Sequence, residues 1–411
     1  MKVQVLQLLL AISASSVAAP AISLSKSFIK RQDTTGQYIV QLDATSTPES
    51  FASHLSRRDQ NVKKVFQFGN FKAYVGTFSE EALAELTALP EVLSVEPDQI
   101  IHIERPPNEA SVRRDLVTET NAPWHLGDIS HKAAGSTDYV FDEGAGEGQT
   151  AYVLDGGIRI SHEEFEGRAI FGYNALTDST VQNGTNTDTD GHGTHVAGLI
   201  AGRRYGVARK ATVVDVKILT ESSGSSAWGM AGYNWAVNDI IAKGAQNTSV
   251  INLSLSATGP STLWDNAVIA AYELGIASFA AAGNNDGPAS EHTPARVPQS
   301  ITVGMTDPDR SRTSIITDIY GSNWGPEVDV FAPGRDIVSA DYLSDTSLHT
   351  RTGTSMATPI TAGLACYLRA LEGGLGSPEE IRARLVELAH KDVVKNPNGS
   401  PNLLVYNGSG Q

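Results

Sequence analysis

The sequence contains a single cysteine, Cys366, and no apolar run of membrane-spanning length beyond its first residues. One thiol excludes an intramolecular disulfide framework, so a chain of 411 residues must depend on its buried core for stability. Basic residues are also few, because 31 lysines and arginines stand against 46 acidic residues, for a net charge of −15. An acidic surface repels phosphate backbones, and we therefore expect neither nucleic acid nor a membrane as a partner.

The first residues have the composition of a secretory signal peptide. Lys2 gives a positive start, Val3 to Val17 is mostly apolar, and small residues follow up to Ala19 and Ala21. A membrane anchor is the alternative, but the run is shorter than the roughly 20 residues that span a bilayer. We predict a cleaved signal peptide over residues 1–19 and a secreted, extracellular protein.

The remaining chain divides into a small N-terminal block and a large C-terminal block. Residues 36–104 are predicted to form a small α/β unit, and residues 105–116, with two adjacent prolines and a dibasic pair, an exposed linker. The predicted elements of the small unit are strands at Tyr38–Leu42, Phe71–Phe78 and Val92–Val95, and helices at Pro48–Arg58 and Glu80–Ala88.

Residues 117–411 alternate between apolar strands and helices. Strands that are apolar throughout and are separated by helices predict a mostly parallel sheet with helices on both faces, an α/β fold. The predicted strands are Thr150–Leu154, Thr212–Ile218, Ser249–Leu255, Ser278–Ala282 and Ile301–Val303. The predicted helices are His192–Arg203, Gly229–Ala242, Thr262–Leu274, Ser355–Leu371 and Pro378–Leu388.

Three motifs in this block carry residues with catalytic chemistry. Asp155 ends an apolar strand before a glycine turn, a place where side chains enter the crevice of a parallel sheet, although turn aspartates are also common. His192 lies between glycines at a predicted helix start. Ser355 lies at another helix start, where exposed N–H groups favour negative charge, although this motif taken alone favours an N-cap serine.

A zinc site is the alternative for the histidine motif, because His195 follows His192 by three residues. The helical zinc motif instead has a four-residue step and an intervening glutamate. A hydroxyl nucleophile with a base and an orienting carboxylate explains all three motifs together. The order Asp, His, Ser is that of subtilisins, whereas chymotrypsin-like enzymes and α/β-hydrolases have other orders.

The motifs themselves resemble the subtilisin family, most closely its proteinase K branch. The matching stretches are VLDGG at 153–157, DGHGTHVAG at 190–198, AAGNN at 281–285, GTSMATP at 353–359 and TNAPW at 120–124. The N-terminal block resembles the propeptide of that family, with YIV at 38–40, FKAYVG at 71–76 and PEVLSVEPD at 90–98. The resemblance implies a propeptide over residues 20–116 that assists folding, inhibits the enzyme and is removed by self-cleavage after Leu116.

The resemblance implies a serine endopeptidase with a catalytic triad of Ser355 as nucleophile, His192 as base and Asp155 as its partner. It implies that Asn284 and the backbone N–H of Ser355 hold the oxyanion. Substrate would bind as an extended strand, with a preference for large apolar P1 side chains. The implied substrate-binding residues are Ser223, Gly224, Ser225, Ser254, Leu255, Ser256, Ala281, Ala282 and Gly283.

The resemblance also implies one structural calcium site, formed by the Asp329 carboxylate and the carbonyls of Pro298 and Ser300; no cofactor is expected for the chemistry itself. A surface aspartate without metal is the alternative. The chain departs from the family at Gly156, where relatives usually carry Ser or Thr, and at Ser256-Ala257, where they usually have two glycines. The stretch Ile315–Trp324 has no clear counterpart.

Several alternatives remain open at this level. A catalytically silent homologue that binds peptides is the first, and Gly156 is the feature that favours it. An esterase would need Gly-x-Ser-x-Gly and a late histidine, and the order of the triad does not support an exopeptidase. We expect a monomer with Cys366 in its core. Glycosylation sequons occur at Asn183, Asn247, Asn252, Asn398 and Asn407, of which the last two are the favoured sites.

Overall fold

The protein was analysed as a computed structural model that describes residues 34–56, 61–102, 119–182, 184–221, 223–314, 320–372 and 375–410. The predicted signal peptide, the linker over residues 105–116 and the cleavage position at Leu116 lie outside the described residues.

The N-terminal block is an antiparallel sheet covered by two helices. Its elements are β1 (Thr34–Leu42), α1 (Pro48–Ser56), β2 (Val62–Phe68), β3 (Phe71–Gly76), α2 (Glu80–Ala88) and β4 (Val92–His102). The strand order is β2-β3-β1-β4, and each neighbouring pair is antiparallel. Val40 and Leu42 pack with residues of α1 and α2, whereas Ile39 packs on the other face with residues of the C-terminal block, as the two-residue repeat of a strand requires.

The C-terminal block is larger and contains the remaining helices and strands of the described residues. In chain order they are α3 (Trp124–Ser130), β5 (Thr150–Asp155), β6 (Ala169–Asn174), α4 (His192–Ala201), β7 (Thr212–Lys217), β8 (Ser223–Ser225), α5 (Ser226–Ala242), β9 (Ser249–Leu253), β10 (Ala257–Thr258), α6 (Thr262–Glu273), β11 (Ala277–Ala281), β12 (His292–Thr293), β13 (Ile301–Thr306), β14 (Val330–Pro333), β15 (Ile337–Ala340), β16 (Leu348–Arg351), α7 (Thr354–Glu372), α8 (Pro378–Leu388), β17 (His390–Lys391) and β18 (Leu403–Leu404).

Nine of these strands form one sheet in the order β17-β18-β14-β13-β11-β9-β5-β7-β6. All neighbouring pairs are parallel except β17 with β18 at one edge. The predicted fold class, a mostly parallel α/β sheet preceded by a small α/β block, is therefore confirmed.

Helices cover both faces of this sheet. Along β5, Ala151 and Val153 face a core that includes residues of α4, α7 and α8, whereas Tyr152 and Leu154 face residues of α5 and α6. Every residue of α4 is buried, which explains why its sequence is apolar all round. Cys366 is fully buried in α7, as predicted, and burial raises the pKa of its thiol to about 12.

The main differences from the sequence-based prediction concern strands. β2, β6 and β14 were not predicted, and β4 runs well beyond the predicted Val92–Val95. Pro97 lies inside β4 and argues against a strand locally, but pairing with β1 and then with β8 carries the strand onward. Among the helices that the structure describes, none has both the length and the apolar composition needed to cross a membrane.

Candidate active site

Asp155 and His192 form a buried, hydrogen-bonded pair. Asp155 is the last residue of β5 and His192 is the first residue of α4. Nδ1 of His192 lies 2.9 Å from both carboxylate oxygens of Asp155, and the two side chains are only 1% and 2% exposed. Nε2 of His192 is buried without a hydrogen-bond partner among the described residues. The pair therefore holds the imidazole with Nε2 available for proton transfer.

Glycine permits the close approach of α4 to the end of β5. A Cβ at Gly193 would lie 2.1 Å from the carbonyl oxygen of Gly157 and 3.1 Å from Cβ of Asp155. Such distances exclude any side chain at position 193, because real Cβ atoms do not approach backbone this closely. The glycine after His192 is therefore a packing requirement of the pair.

Asp188, which the sequence analysis missed, fixes the start of α4. Its Oδ1 accepts from the N–H of Gly191 at 2.9 Å, and its Oδ2 accepts from the N–H and hydroxyl of Thr194 at 2.9 and 2.6 Å. Burial raises the pKa of this carboxyl group, although the hydrogen bonds from Thr194 and Gly191 oppose that rise. The sequence preference for aspartate applies to the N-cap position, which is Gly191 here, so it does not indicate the role of Asp188.

Two more charged residues are buried beneath the pair. Asp215 of β7 is fully buried, and burial raises the pKa of its carboxyl group to about 7. Lys217 lies two residues further along β7, where it pairs in register with Asp155 of β5. Its Nζ donates a hydrogen bond to the carbonyl of Gly156. Burial lowers the pKa of Lys217, while Asp188, Asp215 and Asp155 raise it. The cation thus stands among carboxylates, which reduces the energetic penalty of burying any one of them.

Ser355 is the second residue of α7 and is 4% exposed. Its hydroxyl donates to the carbonyl of Ser254 at 3.2 Å, and the hydroxyl of Ser254 donates back to the carbonyl of Ser355 at 2.9 Å. These bonds join the start of α7 to the end of β9, while α7 also packs against α4. The Ser355 hydroxyl is thus bonded to Ser254 and not to His192 here, and hydrogen bonds of catalytic groups often form only in the substrate complex.

Asn284 lies beside the start of α7. Its Oδ1 accepts from the N–H and the hydroxyl of Thr354 at 2.8 and 2.9 Å. Its Nδ2 lies 3.5 Å from the position that a Cβ would take at Gly353. The acceptor side of the amide is thus held by the helix start, and the donor side lies against Gly353, the residue before α7.

Part of the stretch Ile315–Trp324, which has no clear counterpart in the family, contacts the segment that carries Asn284. Residues 315–319 lie outside the described residues, but Tyr320 is buried and its hydroxyl donates to the carbonyl of Thr352 at 2.7 Å. The N–H of Gly321 donates to the carbonyl of Asn284, and that of Asn323 to Gly283, both at 2.9 Å. Residues 320–323 therefore fix the segment over residues 281–285, a role that the sequence did not indicate.

His195 has a structural role in this arrangement. It is fully buried, and its Nε2 lies 3.0 Å from the carbonyl of Ile337 and 3.1 Å from that of His349. Burial holds the pKa of this imidazole well below its usual range. No group of three or more His, Cys, Asp or Glu side chains in the described parts of the chain has the geometry of a metal site. The bonds of His195 favour the structural alternative over zinc.

The predicted substrate strand at residues 223–225 is paired with the N-terminal block. β8 pairs antiparallel with the end of β4, with Ile100 opposite Ser225 and His102 opposite Ser223. The side chain of Ser225 also caps α5 by accepting from the N–H of Trp228 at 3.1 Å. An extended segment therefore already lies along this strand, as backbone pairing with a peptide would require.

The other predicted substrate-binding residues lie at the ends of β9 and β11. Leu255, Ser256 and Ala281 are buried, and Ala282 packs in a separate cluster with Phe331. His292, which the sequence analysis missed, joins the two segments. Its Nδ1 lies 3.4 Å from the hydroxyl of Ser256 and 3.1 Å from the position of a Cβ at Gly283. His292 thus places a polar ring between the two segments.

Comparison with known proteins agrees with this geometry. Residues 146–408 match the subtilase family of peptidases, and residues 37–104 match the peptidase inhibitor I9 family. The chain belongs to the subtilase family. It is a serine endopeptidase that carries an inhibitor-type propeptide, and the predicted family is confirmed.

Relatives of this subtilase cover between 70% and 96% of its length. The alkaline proteinase of Hapsidospora chrysogena is 42% identical over 406 residues, covering 96% of this chain and 97% of that protein. Alkaline protease 1 of Emericella nidulans is 44% identical over 357 residues, covering 86% and 83%. The crystal structure of a cold-adapted subtilisin-like serine proteinase has 38% identity and a TM-score of 0.63, covering 70% of this chain and 98% of that one.

The propeptide of this subtilase places two carboxylates at helix starts of the peptidase block. Glu96 accepts from the hydroxyl of Ser261 at 2.8 Å and from the N–H of Leu263 at 3.0 Å, at the start of α6. Asp98 accepts from the N–H of Ala227 at 2.6 Å, at the start of α5. Negative charge at a helix N-terminus is stabilising, so both contacts hold the propeptide on the peptidase block.

The residues expected to bind calcium are arranged differently from a metal site. Nη2 of Arg382 donates to the carbonyl of Ser300 at 2.6 Å, and its Nε lies 3.6 Å from Oδ1 of Asp329. Pro298 lies in the exposed turn before β13. A guanidinium group thus stands where a cation would have to bridge the Ser300 and Asp329 oxygens. In this arrangement the residues do not fit a calcium ion.

Proposed function

We propose that this subtilase hydrolyses peptide bonds of proteins through an acyl-enzyme formed on Ser355. The observation that carries the proposal is the buried Asp155–His192 pair, whose Nε2 has no other partner in the described part of the chain. His192 takes the proton of the Ser355 hydroxyl and later delivers it to the leaving amine. Asp155 keeps the proton on Nδ1 and stabilises the imidazolium.

For this chemistry the Ser355 hydroxyl turns from the carbonyl of Ser254 towards Nε2 of His192 when substrate binds. The Nδ2 group of Asn284 and the backbone N–H of Ser355 then hold the developing oxyanion. The positive end of the α7 dipole adds to this stabilisation, because Ser355 lies in the first turn of the helix.

Substrate binds along β8 in the place of the end of β4, and its P1 side chain enters the region between residues 254–256 and 281–283. These two segments contribute the apolar side chains of Leu255 and Ala281, which favours large apolar P1 side chains. Ser256 and His292 add a polar edge that accepts a hydroxyl-bearing ring. Peptides that differ only at P1 test this preference: Phe, Tyr and Leu should give kcat/KM well above Lys and Glu, and equal rates would contradict it.

The precursor is exported and matures outside the cell. In this proposal residues 1–19 direct secretion and residues 20–116 are removed by self-cleavage. Amino-terminal sequencing of protein from the culture medium tests both steps, with Val117 as the expected first residue. Asn247 and Asn398 are exposed and are the proposed glycosylation positions, whereas Asn252 and Asn407 are buried. Asn183 lies outside the described residues.

Casein digestion with a serine-directed covalent inhibitor tests the catalytic assignment. Ser355→Ala and the inhibitor should each abolish casein cleavage, and the substitution should also prevent propeptide removal. Ser290→Ala is the matched control, because Ser290 is exposed and this variant should retain full activity. A propeptide-free wild-type domain that cuts nothing and takes up no inhibitor at Ser355 would instead favour the silent peptide-binding homologue.

A further inference from the structure

The junction between α8 and the central sheet is held by an arginine and a carboxylate. Oδ2 of Asp329 accepts from the N–H of Thr302 at 2.8 Å, and the N–H of Asp329 donates to the carbonyl of Thr302 at 2.9 Å. These bonds fix the carboxylate just before β14 and against β13. Its other oxygen, Oδ1, is the one that faces Arg382 at 3.6 Å.

Arg382 approaches this carboxylate from a rigidly placed helix. α8 begins with a capping box between Ser377 and Glu380, and its residues Ile381 and Leu385 are buried in the core. From this helix Nη2 of Arg382 reaches the carbonyl of Ser300 at 2.6 Å. One guanidinium group therefore connects α8 with the start of β13 and with the residue before β14.

A metal ion would compete with this guanidinium for the same oxygens. Calcium in proteins takes about six to eight oxygen ligands at about 2.3–2.6 Å, and the expected set contains one carboxylate and two carbonyls. A divalent ion placed between Ser300 and Asp329 would also lie next to a positive charge, in a setting where charges are only partly screened. Arg382 would have to leave before such an ion could bind.

We propose that the guanidinium of Arg382 replaces a structural metal ion at the junction of α8, β13 and β14. The subtilase then stabilises this junction with its own side chain, and calcium has no effect there.

Thermal unfolding of the full chain tests the proposal, in a Ser355→Ala background that prevents self-digestion. Tm is measured by circular dichroism with EDTA or with millimolar calcium chloride, for the parent, Asp329→Asn, Arg382→Met, and Arg382→Met/Asp329→Asn. Arg384→Met is the matched control, because Arg384 lies on the same helix and pairs with Glu372 and Glu387 at the surface.

In EDTA, Arg382→Met should lower Tm by about 5 °C or more, because it leaves a partly buried carboxylate without its cation. Calcium chloride should recover part of that loss, and the added Asp329→Asn should remove the calcium response while restoring part of the Tm. Arg384→Met should change Tm by much less.

Three results would overturn the proposal. The first is a Tm of Arg382→Met equal to that of the parent. The second is a parent whose calcium response disappears when Asp329→Asn is introduced alone, because calcium would then bind at Asp329 in the presence of Arg382. The third is an Arg382→Met chain that loses stability but gains no calcium response, which would make Arg382 an ordinary ion-pair partner.

Discussion

The backbone N–H of Gly156 donates a hydrogen bond to Oδ1 of Asp155 at 2.7 Å. Gly156 lacks the side-chain hydroxyl that the family usually carries at this position. The carboxylate of Asp155 is nevertheless held by a hydrogen-bond donor of Gly156, its backbone N–H. The carbonyl of Gly156 accepts from Lys217 on the other side. The departure at this position therefore leaves the carboxylate fixed through the backbone.

Restoring a hydroxyl should have little effect on catalysis. A Cβ at Gly156 would lie 3.5 Å from Oδ1 of Asp188 and 3.7 Å from the carbonyl of Thr220, which is ordinary contact. We expect Gly156→Ser to fold, to raise the unfolding free energy by about 0.4–1 kcal/mol through the unfolded state, and to keep kcat within about three-fold of wild type. Peptide hydrolysis and denaturant unfolding measure both effects.

Gly157→Ser is the matched control for that prediction. Gly157 has a φ of +113°, and a Cβ there would lie 2.6 Å from the backbone of Thr187. This neighbouring substitution should therefore strongly destabilise the chain. A Gly156→Ser enzyme whose kcat changes more than about ten-fold would show that the hydroxyl itself matters for turnover.

Asp188 should act as a positioning residue for His192. Asp188→Asn keeps one acceptor but turns an NH₂ group towards Gly191 or Thr194, where donors are already present. An unsatisfied buried donor is destabilising by about 1–3 kcal/mol. We expect kcat to fall several-fold or more while KM changes little. Steady-state kinetics measure this split; a destabilised enzyme with wild-type kcat would reduce Asp188 to a helix cap.

Ionisation of Asp215 should lower the stability of the peptidase block as pH rises towards 7. The folded-state pKa of Asp215 is raised to about 7 from an ordinary 3.8, so the native state binds more protons than the unfolded state between those values. Ionisation of this buried group therefore removes stability, by at most about 4 kcal/mol between pH 4 and pH 7. Denaturant unfolding of the Ser355→Ala chain at several pH values measures the slope.

Asp215→Asn isolates that contribution. The Thr187 hydroxyl that now donates to Asp215 can donate to the amide oxygen instead, so the substitution removes the charge and keeps the contact. The variant should lose the fall in stability between pH 4 and pH 7 and should exceed the wild type above pH 7. An unchanged slope in the variant would assign the pH dependence to other groups.

Release of the propeptide should depend on Glu96. Glu96→Gln removes the negative charge at the start of α6, a contribution of about 0.5–2 kcal/mol. We expect the processed full chain to show a shorter lag before it hydrolyses a chromogenic peptide. Glu85→Gln on the exposed face of α2 is the control. Equal lags for the two variants would mean that the carboxylate of Glu96 does not limit release.

The residues proposed as catalytic are recognisable in the sequence because they lie in contiguous motifs. The glycines around His192 and the helix after Ser355 are local features, as are the apolar strands that predicted the parallel sheet. His292, Asp188 and Arg382 were missed because their roles depend on neighbours far away in the chain or on hydrogen bonds to the backbone. No local pattern indicates that Arg382 will reach Ser300.

The sequence by itself determined the fold class and the chemical identity of the catalytic groups, because side-chain type and hydrophobic periodicity are properties of the chain. The tertiary structure alone decided how β4 continues through Pro97 to pair with β8. It also decided that a guanidinium group takes the cation position beside Asp329. Both depend on distances between segments remote in sequence, which are fixed only when the two faces of the sheet are packed.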